Sequence, residues 1–237
     1  MSEDFTAPAP HTHHLRTART ARYYTMGGDA SDRTSVWFVL HGYGQLAAQF
    51  VRFFSDLATP RRLIVAPEAM NRFYLVGVDG APASERPVGA TWMTREDRAS
   101  EIADYVEYLD TLHQEITAGS AAAPPRVVVL GFSQGAATAT RWITHGRSRV
   151  DRLILWGGLI PPDTDLSRGP AALRDIPLTI VVGERDHYIS SAALADETAR
   201  LDAARIPVEL ITFDGKHAIS RAVFPRLVGF DGNSSGI

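Results

Sequence analysis

Ser133 sits between two glycines in GFSQG, residues 131–135, after the apolar run RVVVL, residues 126–130, and ahead of the small, helix-compatible segment AATATRWI. A sharp reversal from strand to helix strains its central residue, and small flanking residues permit the turn. A hydroxyl at such a corner stands clear of the sheet beside the first helical N–H groups, which makes Ser133 a candidate nucleophile. It needs a base to take its proton and an acid to orient that base. In chain order, Asp186 lies just beyond PLTIVVGER and His217 just beyond PVELITFDGK, each where a loop leaves an apolar run. Serine, aspartate and histidine in that order suit acyl transfer through a covalent intermediate.

Other residues compete for these roles. Glu184 is an alternative orienting acid two residues before Asp186. His187 follows Asp186 directly, and neighbouring side chains in an extended loop diverge, so it reads as a rim residue. Asp214 is close enough to Gly215 to be shaping the turn there. His113 and His145 fall within or at the ends of helical patterns and are expected to face solvent. His41, before Gly42, reads as support for its loop, since imidazole can satisfy buried backbone groups. Acyl transfer also needs donors for the tetrahedral oxyanion. The backbone N–H of Gln134 follows the nucleophile, and LHGYGQ, residues 40–45, offers the N–H of Tyr43 in a glycine-rich turn.

Positioning these groups requires a sheet. Near-continuous apolar runs recur at Val36 to Leu40, Leu63 to Ala66, Val127 to Leu130, Leu153 to Trp156, Leu178 to Val182 and Val208 to Phe213. They suit parallel strands covered on both faces. The segment RTARTARYYTMGGD, residues 16–29, adds one or two edge strands. A helix is expected from Thr94 as N-cap, with Ile102, Tyr105, Val106, Leu109, Leu112 and Ile116 on one stripe. A second runs from Ala192 to Arg205 and ends before Pro207. Strands alternating with helices make an α/β domain. Residues 67–93 and 159–175 form two long connections that could wall a cleft. Residues 1–15 read as a flexible tail, 16–230 as one domain and 231–237 as a second loose end.

The chain of 237 residues is 45% hydrophobic and 22% charged, ordinary for a soluble globular protein. No segment approaches the ~18 consecutive apolar residues of a membrane span, and no secretory signal pattern opens the chain, so a cytoplasmic location is expected. A formal net charge of -3 without a long basic run gives no reason to expect nucleic acid or anionic lipid as a partner. The absence of cysteine excludes disulfides, thiolate nucleophiles and cysteine-ligated zinc. His11, His13 and His14 match no zinc spacing, and no metal is expected.

Together LHGYG, GFSQG, GERD and GKH resemble the phospholipase/carboxylesterase branch of the α/β-hydrolase fold, which includes acyl-protein thioesterases; the likeness spans residues 36–220. It implies a mostly parallel central sheet flanked by helices on both faces, without a separate lid domain. It also implies Ser133, Asp186 and His217 as a triad and no cofactor. The sequence departs from the branch at Gln45 and Ala136, where an acidic residue and a second glycine are common. Met93 and Thr94 likewise replace a phenylalanine and an aspartate. Phe73, Tyr74, Leu75, Trp92 and Met93 are candidates to contact a small-molecule ester or thioester. The expected activity is hydrolysis of carboxylic esters with short or medium acyl chains. A thioesterase, a lysophospholipase and a non-catalytic ligand-binding module are the other readings of the same fold.

Overall fold

The computed structural model describes residues 10–30, 32–76, 82, 85–118, 124–166 and 171–228. The first nine residues of the expected N-terminal tail and the whole of the expected 231–237 tail lie outside them. Seven strands form the central sheet: β1 (Tyr23–Met26), β2 (Ser35–Leu40), β3 (Arg62–Pro67), β6 (Arg126–Phe132), β7 (Arg152–Trp156), β8 (Leu178–Gly183) and β9 (Val208–Phe213). Their spatial order is β1-β3-β2-β6-β7-β8-β9. Only β1 is antiparallel to its neighbour.

The apolar runs become strands because both sheet faces are covered. In β2, Val36, Phe38 and Leu40 face one core cluster and Trp37 and Val39 the other, the period of two that a strand imposes. The first cluster receives α2 (Arg98–Thr117), α3 (Gln134–His145) and α5 (Ser191–Ala203) through Tyr105, Leu109, Ala139, Trp142 and Leu201. The second receives α1 (Ala47–Phe50), the 3-10 turn Val51–Phe54 and α6 (Phe224–Val228) through Phe50, Phe54 and Phe224. A short α4 (Ala171–Asp175) leads into β8. The stripe expected on α2 points at the core as its spacing requires, with Ile102 and Ile116 at its half-buried ends. No helix among the described residues is long and apolar enough to cross a membrane.

Three expectations are corrected. The helix α2 starts at Arg98 rather than after Thr94. The Thr94 hydroxyl oxygen accepts the N–H of Glu96 at 3.1 Å, a local turn that competes with helix, and Asp97 then adopts φ 44°. Residues 67–93 are not wholly irregular, because β4 (Asn71–Tyr74) and β5 (Val88–Thr91) pair as an antiparallel ribbon. His113 is half-buried rather than solvent-facing: its ring stacks on Phe38 at 5.8 Å and meets Trp142 edge-on at 6.3 Å, while Nε2 lies 3.1 Å from the Arg149 carbonyl.

A period-three sequence, RTARTAR at residues 16–22, attaches the N-terminal segment. Arg16 pairs with Glu107 at 2.6 Å, Arg19 donates to Asn71 at 3.2 Å and Arg22 to Glu68 at 2.6 Å. The Glu68 side chain is fully buried. It also accepts from Arg72 at 2.7 Å and from the N–H of Ala47 at 3.2 Å, joining the end of β3 to β4, α1 and the N-terminal segment. Burial alone would push the Glu68 carboxyl up, but the hydrogen bonds from Arg22 and Arg72 outweigh it and hold it below the ordinary glutamate range.

Glu68→Gln is therefore expected to cost about 2 kcal/mol of stability at neutral pH, the scale of hydrogen bonds to charged groups. A carboxyl whose folded pKa is depressed stabilises above the unfolded value of about 4.3 and ceases to do so as pH falls through the folded value. Denaturant titrations of both proteins should show their difference constant near neutrality and shrinking as pH drops below about 4.

Candidate active site

The corner at Ser133 is built by the end of β6 and the start of α3. Ser133 has φ 54° and ψ -117°, a conformation that costs a non-glycine residue of order 1–3 kcal/mol. Close packing enforces it. A methyl group at Gly131 would fall on the carbonyl of Gly135, and one at Gly135 on the carbonyl of Leu40. The Ser133 N–H donates to the Trp156 carbonyl at 2.9 Å, tying the corner to the end of β7, and the Ser133 carbonyl accepts from Ala136 at 2.9 Å. Ser133 itself is half-buried, and among the described residues its hydroxyl has no hydrogen-bond partner.

Asp186 and His217 meet beside this corner. Asp186 follows β8 in a turn closed by its own N–H on the Gly183 carbonyl at 2.9 Å. Its Oδ1 accepts the N–H groups of Tyr188 at 2.8 Å and Ile189 at 3.2 Å, which leaves Oδ2 for His217 Nδ1 at 2.7 Å. The Asp186 side chain is 1% exposed and that of His217 11%. Two backbone bonds join the loops after β8 and β9: Glu184 N–H to the Phe213 carbonyl at 2.9 Å and Arg185 N–H to the Gly215 carbonyl at 2.8 Å. The imidazole rests on the Phe132 ring at 5.0 Å, next to the serine in sequence, with the Tyr188 ring edge-on at 4.6 Å. An Nδ1–H held by Asp186 makes Nε2 the proton acceptor, the arrangement a general base needs.

The turn after β2 lies against the same corner: a methyl on Gly42 would come within 3.2 Å of Ser133 Cβ. Gln45 accepts the Gly42 N–H on Oε1 at 2.8 Å and donates its own N–H to the Gly42 carbonyl at 3.3 Å, while Gly44 N–H is held by Ala90 at 2.8 Å. Among the described residues the N–H groups of Tyr43 and Gln134 have no hydrogen-bond partner, so both remain available as donors. Beneath the turn His41 is fully buried. Its Nε2 accepts from Ala69 N–H at 3.1 Å, so Nδ1–H donates to the Gly42 carbonyl at 2.8 Å. Burial pushes the His41 pKa down, in keeping with a neutral structural ring.

The substrate-contact candidates divide. The Phe73 ring lies tilted against Tyr43 at 5.1 Å, and Leu75 lies where a methyl on Gly44 would touch it at 3.4 Å. Tyr74, alternating with them, is exposed. Trp92 is 2% exposed and donates its indole N–H to the His41 carbonyl at 2.9 Å, which places it under the turn. Met93 is half-buried. Its carbonyl accepts from the Gln134 side chain at 2.8 Å, and the same amide accepts the Trp92 N–H at 3.1 Å. Of the rival titratable groups, His187 stays at the rim: it is exposed, with its ring 4.1 Å from Tyr188 and 6.2 Å from that of His217. Glu184 is exposed near Thr212, Asp214 pairs with Arg185, His145 is exposed, and His14 pairs with Asp97.

Sequence reasoning missed the side chains of Gln45 and Gln134, which brace the two donor turns, and the pair Gly157-Gly158 after β7. The run LILWGGLI, residues 153–160, carries the signal for the latter, because two glycines directly beyond a buried strand mark a close approach. Gly157 has φ 57°, and a methyl there would stand 3.0 Å from His217 Cε1; one on Gly158 would stand 2.8 Å from the Ser133 carbonyl.

Residues 28–230 match the sequence model of the phospholipase/carboxylesterase family. No curated protein matches the chain by sequence. Among solved structures the chain resembles esterase PE8 with 21% identity and a TM-score of 0.63, over 90% of this chain and 98% of that one. It also resembles Zea mays acyl-protein thioesterase 2, with 18% identity and a TM-score of 0.66 over 89% and 97% of the two chains. The Bacillus cereus carboxylesterase matches with 15% identity and a TM-score of 0.63, over 89% and 93%. At these identities the structural likeness establishes the fold.

Gly157→Ala should lower stability by about 1–2 kcal/mol, the cost of a left-handed conformation in a residue with a Cβ. Chemical denaturation checks the value, and a variant as stable as the parent would contradict the left-handed backbone described at Gly157.

Proposed function

The chain belongs to the phospholipase/carboxylesterase family of hydrolases, and from that premise we propose that it hydrolyses carboxylic esters of short or medium acyl chains through an acyl-enzyme on Ser133. The observation that carries this reading is the 2.7 Å contact between His217 Nδ1 and buried Asp186 Oδ2 beside a strained serine corner. His217 Nε2 takes the Ser133 proton as Oγ bonds to the ester carbonyl carbon. The oxygen that gains the negative charge is received by the N–H groups of Tyr43 and Gln134. Collapse breaks the bond to the leaving oxygen, to which His217 returns the proton. Water, deprotonated by the same imidazole, then releases the acid and restores Ser133. Asp186 holds the tautomer and stabilises the imidazolium.

The exposure of Tyr43 and Tyr188 beside the site supports accessible acyl groups. The likeness to an acyl-protein thioesterase favours thioesters as the second reading, since a thioester carbonyl is attacked in the same way.

A fluorophosphonate probe should label the parent and not Ser133→Ala, read by mass spectrometry of the intact protein. Asp186→Asn should lower kcat on a short-chain ester by about 10⁴, and His217→Ala by at least as much. Labelling retained in Ser133→Ala would remove the nucleophile from the mechanism. Labelling without multiple turnover on any ester or thioester would favour a binding module.

A further inference from the structure

Among the described Phe, Tyr and Trp side chains, Tyr188 and Tyr43 are the most exposed, at 70% and 61%. Both rings stand on backbones that the site itself fixes. The N–H of Tyr188 donates to Asp186 Oδ1 at 2.8 Å, and Tyr43 lies in the turn locked by Gln45 and Ala90. Each ring also has one aromatic neighbour besides the site: His187 beside Tyr188 at 4.1 Å and Phe73 beside Tyr43 at 5.1 Å. An exposed aromatic on a backbone fixed in this way leaves apolar surface uncovered at a set place beside the site.

We propose that Tyr188 recognises an aromatic ring in the leaving alcohol of the substrate, so that the preferred esters are those of arylmethanols and related ring-bearing alcohols. The inference rests on the reaction proposed above and specifies its substrate. When the tetrahedral intermediate collapses, the acyl carbon–oxygen bond breaks and the His217 Nε2 proton passes to the leaving oxygen, which must therefore lie within hydrogen-bond reach of the imidazole. The Tyr188 ring is 4.6 Å from that imidazole, edge-on at 62°. A ring one carbon beyond the leaving oxygen is short enough a reach from the imidazole to come within about 4.5–7 Å of Tyr188, the range at which aromatic pairs attract. Two cavities among the described residues, of about 840 and 570 Å³, lie along α2 away from these rings.

Benzyl acetate and cyclohexylmethyl acetate test this, because they match in size and leaving-group type and differ in the ring. The parent should prefer the benzyl ester in kcat/KM by roughly fivefold, the scale of one aromatic pair. Tyr188→Leu keeps the backbone N–H to Asp186 and should bring the ratio to within about twofold, whereas Tyr188→Phe should retain it, since the ring face does the work. A parent ratio near one, or a ratio unchanged in Tyr188→Leu, would overturn the inference while leaving the hydrolase reading intact. Turnover of neither ester, nor of any other, would instead overturn that reading and the inference with it.

Discussion

The backbone at Ser133 is the constraint on which the rest of the site depends. A serine at φ 54° and ψ -117° persists only where its surroundings leave no other path. Here the chain before it is β6, paired on both sides by β2 and β7, and the chain after it is α3, pressed so near that Gly135 abuts the carbonyl of Leu40. A relaxed corner would require β6 to slip or α3 to lift. A slip of one residue would exchange Val128 and Leu130 in one core cluster for Val127 and Val129 in the other, moving every side chain of the strand to the opposite face. The strain at one residue is thus held by the packing of two cores.

Topology explains why donors and nucleophile meet at this place. From β2 the chain goes outward to β3, but β6 returns to the other side of β2 and the remaining strands continue in that direction. The boundary between β2 and β6 is therefore where the order reverses. The elements that follow these strands go to opposite faces, α1 to the cluster around Phe50 and α3 to the cluster around Trp142. Diverging connections open a crevice above the carboxyl ends of the strands. The Tyr43 turn leaves β2 and Ser133 leaves β6, so the crevice has a candidate oxyanion donor on one side and the serine on the other. Asp186 and His217 come from the carboxyl ends of β8 and β9, and their loops are bonded to each other at Glu184 and Arg185.

Much of this was legible because buried parallel strands announce themselves as apolar runs. All six runs are strands, within two residues at each end. The candidates Ser133, Asp186 and His217 were read from order and from position after strands, and the structure brings Asp186 and His217 into contact. What was hidden depends on partners distant in sequence. Nothing local in Gln45 says that its amide holds Gly42, nor in Gln134 that its side chain reaches back to Trp92 and Met93. The period of RTARTAR was visible as letters, yet its meaning lies in Glu107, Asn71 and Glu68. Thr94 looked like a helix cap because serine and threonine caps and local turns use the same hydroxyl chemistry. The left-handed Asp97 decided between them.

The site also separates two kinds of constraint within single residues. Tyr43 and Tyr188 meet the proposed chemistry through their N–H groups, one at the oxyanion position and the other on Asp186, and any residue but proline supplies such a donor. Their side chains are therefore not needed as donors, although the Tyr188 ring also packs against the His217 imidazole at 4.6 Å and the backbone beneath both rings is fixed by the site. A ring on such a backbone acquires a set position relative to the reacting atoms without adding a new element to the fold. Substrate preference can then change by substitution at positions 43 and 188 while the turn geometry, and the hydrogen bonds that hold Asp186 and Gly42, stay as they are. That independence is what a fold with one mechanism and many substrates requires, and here it has a physical basis in which atoms of two tyrosines do which work.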